Sequence, residues 1–169
     1  MSARRLLRAG IARYDRGDLV PRSDERTGFG GGARWMARAM GQTLDAAGTQ
    51  RAARLATLKY GAALTAALVC GALASRLHLV AGLVAFVLAF YAVEVQGLFL
   101  LPLVVKGTPH PLSRSRSLVA ASGGTARAVL AVLPIAAWMI FAGVGRGFVR
   151  AWCEGCLAVI VWYEEAERA

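Results

Sequence analysis

The chain has 169 residues, 57% of them hydrophobic and only 18% charged, with a formal net charge of +10. A soluble domain of this length can bury a core, but it does not normally carry apolar runs this long and this free of charge. An ordinary soluble domain is therefore excluded, and the pattern predicts an all-α integral membrane bundle of four transmembrane helices with a basic cytoplasmic N-terminal arm.

The arm is residues 1–57. Arg4, Arg5, Arg8 and Arg13 interrupt the first fourteen residues, so no cleavable signal peptide is visible and the first span must act as its own insertion signal. Leu6, Leu7, Ile11 and Tyr14 set against those arginines make Ser2 to Tyr14 a short basic amphipathic helix. Asp15 to Gly32, with Pro21 and the run Gly30-Gly31-Gly32, reads as loop, and a second helical stretch over about 33–58 leads into the membrane. The arm as a whole reads as solvated and partly disordered. Thr27 to Gly32 lacks the Lys-Ser/Thr of a phosphate loop and reads as a hinge. Next to membrane spans, the basic residues point to anionic lipid headgroups rather than nucleic acid.

Four apolar runs follow, at about 58–75, 79–105, 128–144 and 148–163, with a short acidic tail over 164–169. The second exceeds the roughly 20 residues a bilayer needs, so it should tilt or bend, and Pro102 near its end permits a bend. The third contains Pro134, which a helix in lipid tolerates when neighbours satisfy the freed carbonyl. The last run contains Arg150 and Glu154 and is the weakest; its alternative is to lie in the interface. Residues 1–59 hold twelve Lys/Arg and the 106–127 loop holds four. Cytoplasmic flanks retain positive charge, so four crossings leave both termini cytoplasmic, and three leave the C-terminus outside.

Few residues in the spans can carry chemistry. Glu94 and Gln96 are polar intrusions in the second span; they read as a helix–helix hydrogen bond within the bundle or to a partner, with a proton or ion site as the alternative. Cys153-Glu154-Gly155-Cys156 has the spacing of a thiol pair in which one sulfur attacks and the other resolves. Membrane enzymes of that kind use further cysteines, and only Cys70 remains; lipidation is a second reading of Cys153 and Cys156. His78 and His110 fall in different loops and offer no metal site. No catalytic, cofactor-binding or metal-binding residues are assigned, and no cofactor or small-molecule substrate is expected.

The order of several short motifs resembles the alphaherpesvirus multi-pass envelope and egress proteins of the unique-long-twenty family. In the arm these are Asp15-Arg16, Asp18-Leu19-Val20 and Phe29-Gly30-Gly31. Leu58-Lys59, Gly71 and Arg76 follow, then Tyr91, Leu100-Leu101, Val105-Lys106, Pro111-Leu112-Ser113 and Gly123-Gly124-Thr125-Ala126. The arm is more basic than the family's, and the tail after the third span is shorter. The resemblance implies a non-enzymatic protein that partners viral glycoprotein K, with glycoprotein B as a further partner in fusion regulation. It also implies residence in host endoplasmic reticulum, Golgi, nuclear and plasma membranes and in the virion envelope, in support of glycoprotein trafficking, envelopment and egress. Small residues at Gly61, Gly71 and Ser75, together with Glu94 and Gln96, are the expected partner contacts. Two other classes fit the residues: a small bacterial membrane accessory subunit or transporter, and a membrane thiol oxidoreductase using Cys153 and Cys156.

Overall fold

A computed structural model describes residues 2–17 and 19–168, and every α-element among them is named here in chain order. Met1, Ala169 and Asp18 of the Asp18-Leu19-Val20 motif lie outside the described residues. The first helix, α1, is Ala3–Arg16; the Ser2 hydroxyl accepts a hydrogen bond from the Arg5 backbone N–H and starts it. Its apolar side buries Leu6 completely. Gly10 is buried because α1 there meets the last helix, α9 (Phe148–Arg168), backbone to backbone. A Cβ on Gly10 would lie 2.6 Å from Glu154 O and 2.7 Å from Ala158 N.

The following segment folds back on α2, Gly28–Ala39. Trp35 donates its indole N–H to Leu19 O at 2.7 Å. Glu25 is buried, accepts from the Arg22 backbone at 2.9 Å and takes a two-pronged bond from Arg38 at 2.7 and 2.9 Å. Those bonds, Arg38 foremost, hold the Glu25 carboxyl below the usual carboxylate range against the opposing effect of burial. The arm was expected to be partly disordered. Its described residues instead form α1, a 3-10 turn at Ser23–Glu25, α2 and the first turns of α3.

The helix α3 runs without a break over Ala46–Ser75, so arm and first span are one rod. Asp45 caps it by accepting from Gly48 N at 2.7 Å. After a two-residue turn, His78 caps α4, Leu79–Glu94, with its Nδ1 accepting from Val80 N. The two helices form an antiparallel hairpin, and small buried residues Ala63, Ala67 and Gly71 line α3 at a one-turn spacing. Around Gly82 the contact is close: a Cβ there would sit 2.7 Å from Ser75 Cβ and 3.0 Å from Gly71 O.

The hairpin's outer surface is apolar. Leu58, Leu64, Leu68, Val69 and Leu73 on α3 and Val80, Leu83, Val84, Val87 and Leu88 on α4 are all exposed. These side chains are 36–69% exposed, so each forgoes roughly half of the ~1.5–3 kcal/mol of full burial, on the order of 10 kcal/mol for the set. That is comparable to the ~5–15 kcal/mol net stability of a typical domain. An apolar surrounding is the physical solution, and it is what a bilayer provides.

The long second run does not stay one α-helix. It passes at Glu94 into a 3-10 turn, Val95–Gly97, and resumes as α5, Leu100–Val105. The bend precedes Pro102 rather than sitting at it. Restarting at Leu100 puts Pro102 in the first turn, where its missing N–H costs no intrahelical bond. The 106–127 segment, read as loop, contains α6 at Pro111–Ala121. Then come α7 (Gly124–Phe141), a one-turn α8 (Gly143–Arg146) and α9. In the core of this body Phe99 meets Trp162 edge-on, with ring centroids 5.6 Å apart, beside Leu6, Leu103 and Ile135. The Ser115 hydroxyl accepts from the Phe99 backbone N–H at 3.2 Å and holds the bend.

Three helices are long and apolar enough to cross a membrane: Ala46–Ser75, Leu79–Val105 (through the bend) and Gly124–Phe141. The last run, expected as a fourth span, is not one of them. Its Leu157, Ala158, Ile160, Trp162 and Tyr163 are buried inside the protein, and Arg150, Glu154, Glu164, Glu165 and Glu167 break its apolar character.

Candidate functional site

Where the hairpin joins the body, Lys59 of α3 faces Glu94 at the end of α4. Lys59 Nζ donates to Glu94 Oε1 at 2.6 Å, and both side chains are about 10% exposed. The Lys59 stem lies over Gly97, where a Cβ would meet it at 3.1 Å, so the glycine after the helix end makes room for the lysine. Lys59 also stands 4.8 Å from the centre of the Tyr60 ring. The second carboxylate oxygen, Glu94 Oε2, is buried and has no hydrogen-bond partner. The expectation that Glu94 makes a helix–helix bond fits this pairing within the chain. Its partner, Lys59, stands in the sequence among the basic residues of the cytoplasmic flank and was not matched to Glu94.

The pair borders a cavity of about 780 Å³ between the hairpin, α2, α7 and α9. Its walls are largely apolar, with Trp35 and Met36 of α2, Tyr60 of α3, Tyr91 of α4, Met139 of α7 and Trp152 of α9 among them, and Glu25, Arg26, Lys59 and Glu94 are its charged lining residues. Phe29, also in the lining, stacks flat on Tyr60 with centroids 5.3 Å apart. A cleft of this size and lining is in the range that holds a drug-sized apolar molecule.

Of the remaining candidates, only Cys153 and Cys156 line this cleft. Gln96 donates its amide to Thr125 Oγ1 at 2.9 Å and ties the bend to the start of α7. Gly71 and Ser75 are in contact with α4. Gly61 is exposed, with open space where a Cβ would project. Cys153 is buried beside Trp35 and Met36, and Cys156 lines the cavity. Both are free thiols, and burial pushes each up to about 12. Neither is a thiolate at neutral pH, which weighs against attack on a disulfide. Glu154, between them, is completely buried and accepts from Arg150 Nε and Trp138 Nε1, both at 2.9 Å. Its chemistry is structural: it neutralises the start of α9, with Arg146 3.5 Å away and Arg150 also bound to Asp15 at 2.7 Å. His78 and His110 are the caps of α4 and α6. Among the described residues no group of three His, Cys, Asp or Glu is placed to hold a metal ion.

Comparison with known protein families, curated proteins and solved structures finds no match to this chain.

Proposed function

We propose that the chain is a non-enzymatic integral membrane protein whose work is association inside the bilayer with a membrane glycoprotein. The observation that carries this reading is the apolar outer surface of the α3–α4 hairpin, which no other part of the described chain covers. By the resemblance in the motifs, the partner is a protein of the glycoprotein K type, and the outcome is its export from the endoplasmic reticulum to Golgi and envelope. Support for egress and tuning of glycoprotein B-driven fusion follow from the same resemblance. Of the five expected partner contacts we retain Gly61. Glu94, Gln96, Gly71 and Ser75 are engaged within the chain, whereas Gly61 and the neighbouring Leu64 and Leu68 on α3 face outward. A small residue flanked by leucines lets a partner helix approach closely.

The topology we propose follows from α1 and α9. Arg5 pairs with Glu165 and Arg13 with Glu164, so the start of the chain and the end of α9 lie together on one side of the membrane. The number of crossings between them is then even. Four crossings would carry α9 through the hydrocarbon with α1 and its arginines against it, at a cost of roughly 2.5–3.5 kcal/mol for each charge at the centre. Two crossings, α3 and α4, leave Arg76 as the only Lys/Arg on the far side. From Lys59 to the Arg76 turn is about 17 residues, roughly 26 Å of helix, close to the ~27 Å core of an endoplasmic reticulum bilayer. In this arrangement α7, α8 and α9 dip their exposed Ile140, Phe141, Val144 and Phe148 into the near leaflet without crossing.

Co-precipitation of the glycoprotein from co-expressing cells tests the partner reading. Gly61→Leu should reduce recovery about fivefold while membrane insertion persists, an effect of ~1 kcal/mol in keeping with helix contacts in lipid. Wild-type recovery and transport with Gly61→Leu, Leu64→Ala and Leu68→Ala combined would remove the α3 face as the contact. A bacterial membrane complex as the only recovered material would favour the accessory-subunit reading instead.

A further inference from the structure

Of the charged residues that line the cavity, Glu25, Lys59 and Glu94 are already neutralised. Both oxygens of Glu25 are held by Arg38 and one also by the Arg22 backbone, and Lys59 and Glu94 are paired with each other. Arg26 is the exception. Its Nε donates to Pro21 O at 3.0 Å, which fixes the side chain. Among the described residues no carboxylate is within ion-pair distance of it. The lining therefore presents one uncompensated cation to an occupant, set against apolar walls that include Trp35, Met36, Met139 and Trp152. The complementary chemistry is an apolar body with one anionic end. We propose that this cavity binds an anionic acyl lipid, with its carboxylate or phosphate on the Arg26 guanidinium and its chain along the apolar walls.

The place of the cavity in the fold favours this occupant. Phe29 stacks on Tyr60, which follows Lys59 at the base of the hairpin. Arg26 precedes Phe29 by a stretch that reaches at most about 11 Å, so its charge is near the level where lipid headgroups meet the hydrocarbon. The cavity is also accessible from the apolar side. Ile140, Phe148, Val149 and Trp152 are exposed and belong to its lining, and Ile140 and Phe148 are residues of the proposed near-leaflet contact. An acyl chain enters there without passing through water. A free anion gains nothing from these walls, and a neutral amphiphile leaves Arg26 without a counter-charge. A cationic amphiphile meets Arg26 with both lining carboxylates already taken. The inference rests on the membrane-embedded hairpin proposed above but not on the glycoprotein partner.

The test uses the full chain in phosphatidylcholine nanodiscs at mildly alkaline pH. The probes are a diazirine-bearing fatty acid, ionised under these conditions, and its neutral methyl ester. Photolabelled peptides are then mapped. The acid should label wild-type protein at cavity residues of α2, α7 and α9, and the ester about fivefold less, the scale of one partly solvated charge pair. Arg26→Gln should bring the acid down to the level of the ester. Arg22→Gln removes the same charge from an exposed neighbour outside the lining and should leave the preference unchanged. Gly32 lines the cavity and has open space at its Cβ position, so Gly32→Trp fills the site and should abolish labelling by both probes. Oleate and dioleoyl phosphatidic acid should each compete, and the stronger competitor identifies the source of the anionic head; inorganic phosphate should not compete. Equal labelling by acid and ester on wild-type protein would overturn the proposal, whatever the variants do. So would an equal loss with Arg22→Gln and Arg26→Gln, which would assign the preference to surface charge alone. A photocrosslinker at Met139 that captures a protein in cells rather than lipid would also overturn it and give the cleft to a partner helix. Insertion is read separately by alkaline extraction. Inserted protein with no preference for the acid refutes the lipid site alone, whereas protein extracted from the membrane refutes the embedded hairpin as well.

Discussion

Lys59 and Glu94 illustrate what a single sequence does and does not reveal about a residue. A carboxylate at membrane depth announces itself, because burying a charge is expensive. Its lysine is 35 positions away and stands among basic residues that serve as topological signals. The pairing was nevertheless available by symmetry. Lys59 and Glu94 are equally far from the Arg76–Leu77 turn, as are Gly71 and Gly82, which touch across the hairpin. Folding the sequence at that turn brings the two charges together. Once the pair is known, its energetics are testable. Glu94→Ala leaves a buried lysine without its carboxylate, and truncating one side of such a pair costs ~3–5 kcal/mol. Replacing both, Lys59→Met with Glu94→Leu, removes two desolvation penalties together and should restore wild-type stability or exceed it. Thermal unfolding in detergent should show a large drop for the single variant and recovery for the double. A single variant as stable as wild type would mean the pair is solvated and not part of the core. The cysteines mislead in the opposite way: their spacing is chemical, but their burial, which sequence does not display, removes the thiolate.

At the scale of elements, the hairpin was readable and the last helix was not. Two apolar runs with a two-residue turn between them specify the hairpin, but not that α3 begins at Ala46 or that α4 ends at Glu94. The helix α9 carries one apolar run, and such a run is either a membrane span or the centre of a protein. Periodicity cannot separate these. The deciding partner was α1, a basic amphipathic helix whose apolar side closes over α9, with Leu6 fully buried and Gly10 at the crossing. The arginines that looked like a solvated tail are in part the counter-charges of Glu164 and Glu165. This contact predicts the effect of a bulky residue at Gly10. Gly10→Leu drives a side chain into the backbone of Glu154 and Ala158, and such overpacking costs ~1–3 kcal/mol. The result should be release of α1, read as roughly tenfold faster tryptic cleavage after Arg13 and Arg16 with the hairpin still inserted. Cleavage at the wild-type rate would show that α1 is not docked at that crossing.

For the whole molecule, the proposed arrangement is a body on one side of a membrane with an apolar hairpin projecting into it. Hydropathy locates apolar segments, and the structure has three of sufficient length. Counting segments does not fix how many cross, because the contact between α1 and α9 is a constraint between the two ends of the chain. The charge count is consistent with the two-crossing arrangement: every Lys or Arg except Arg76 falls on the body side. The most direct measurement exploits the absence of Asn from the sequence, which leaves no native N-glycosylation acceptor. A flexible loop bearing one Asn-Gly-Thr acceptor is inserted after Leu77, or separately after Gly145, and each protein is translated with microsomes. The account predicts glycosylation of the Leu77 insertion and none of the Gly145 insertion. Glycosylation of both would mean that α7 and α9 cross the bilayer, and would contradict the placement of α1 and α9 on which the account rests.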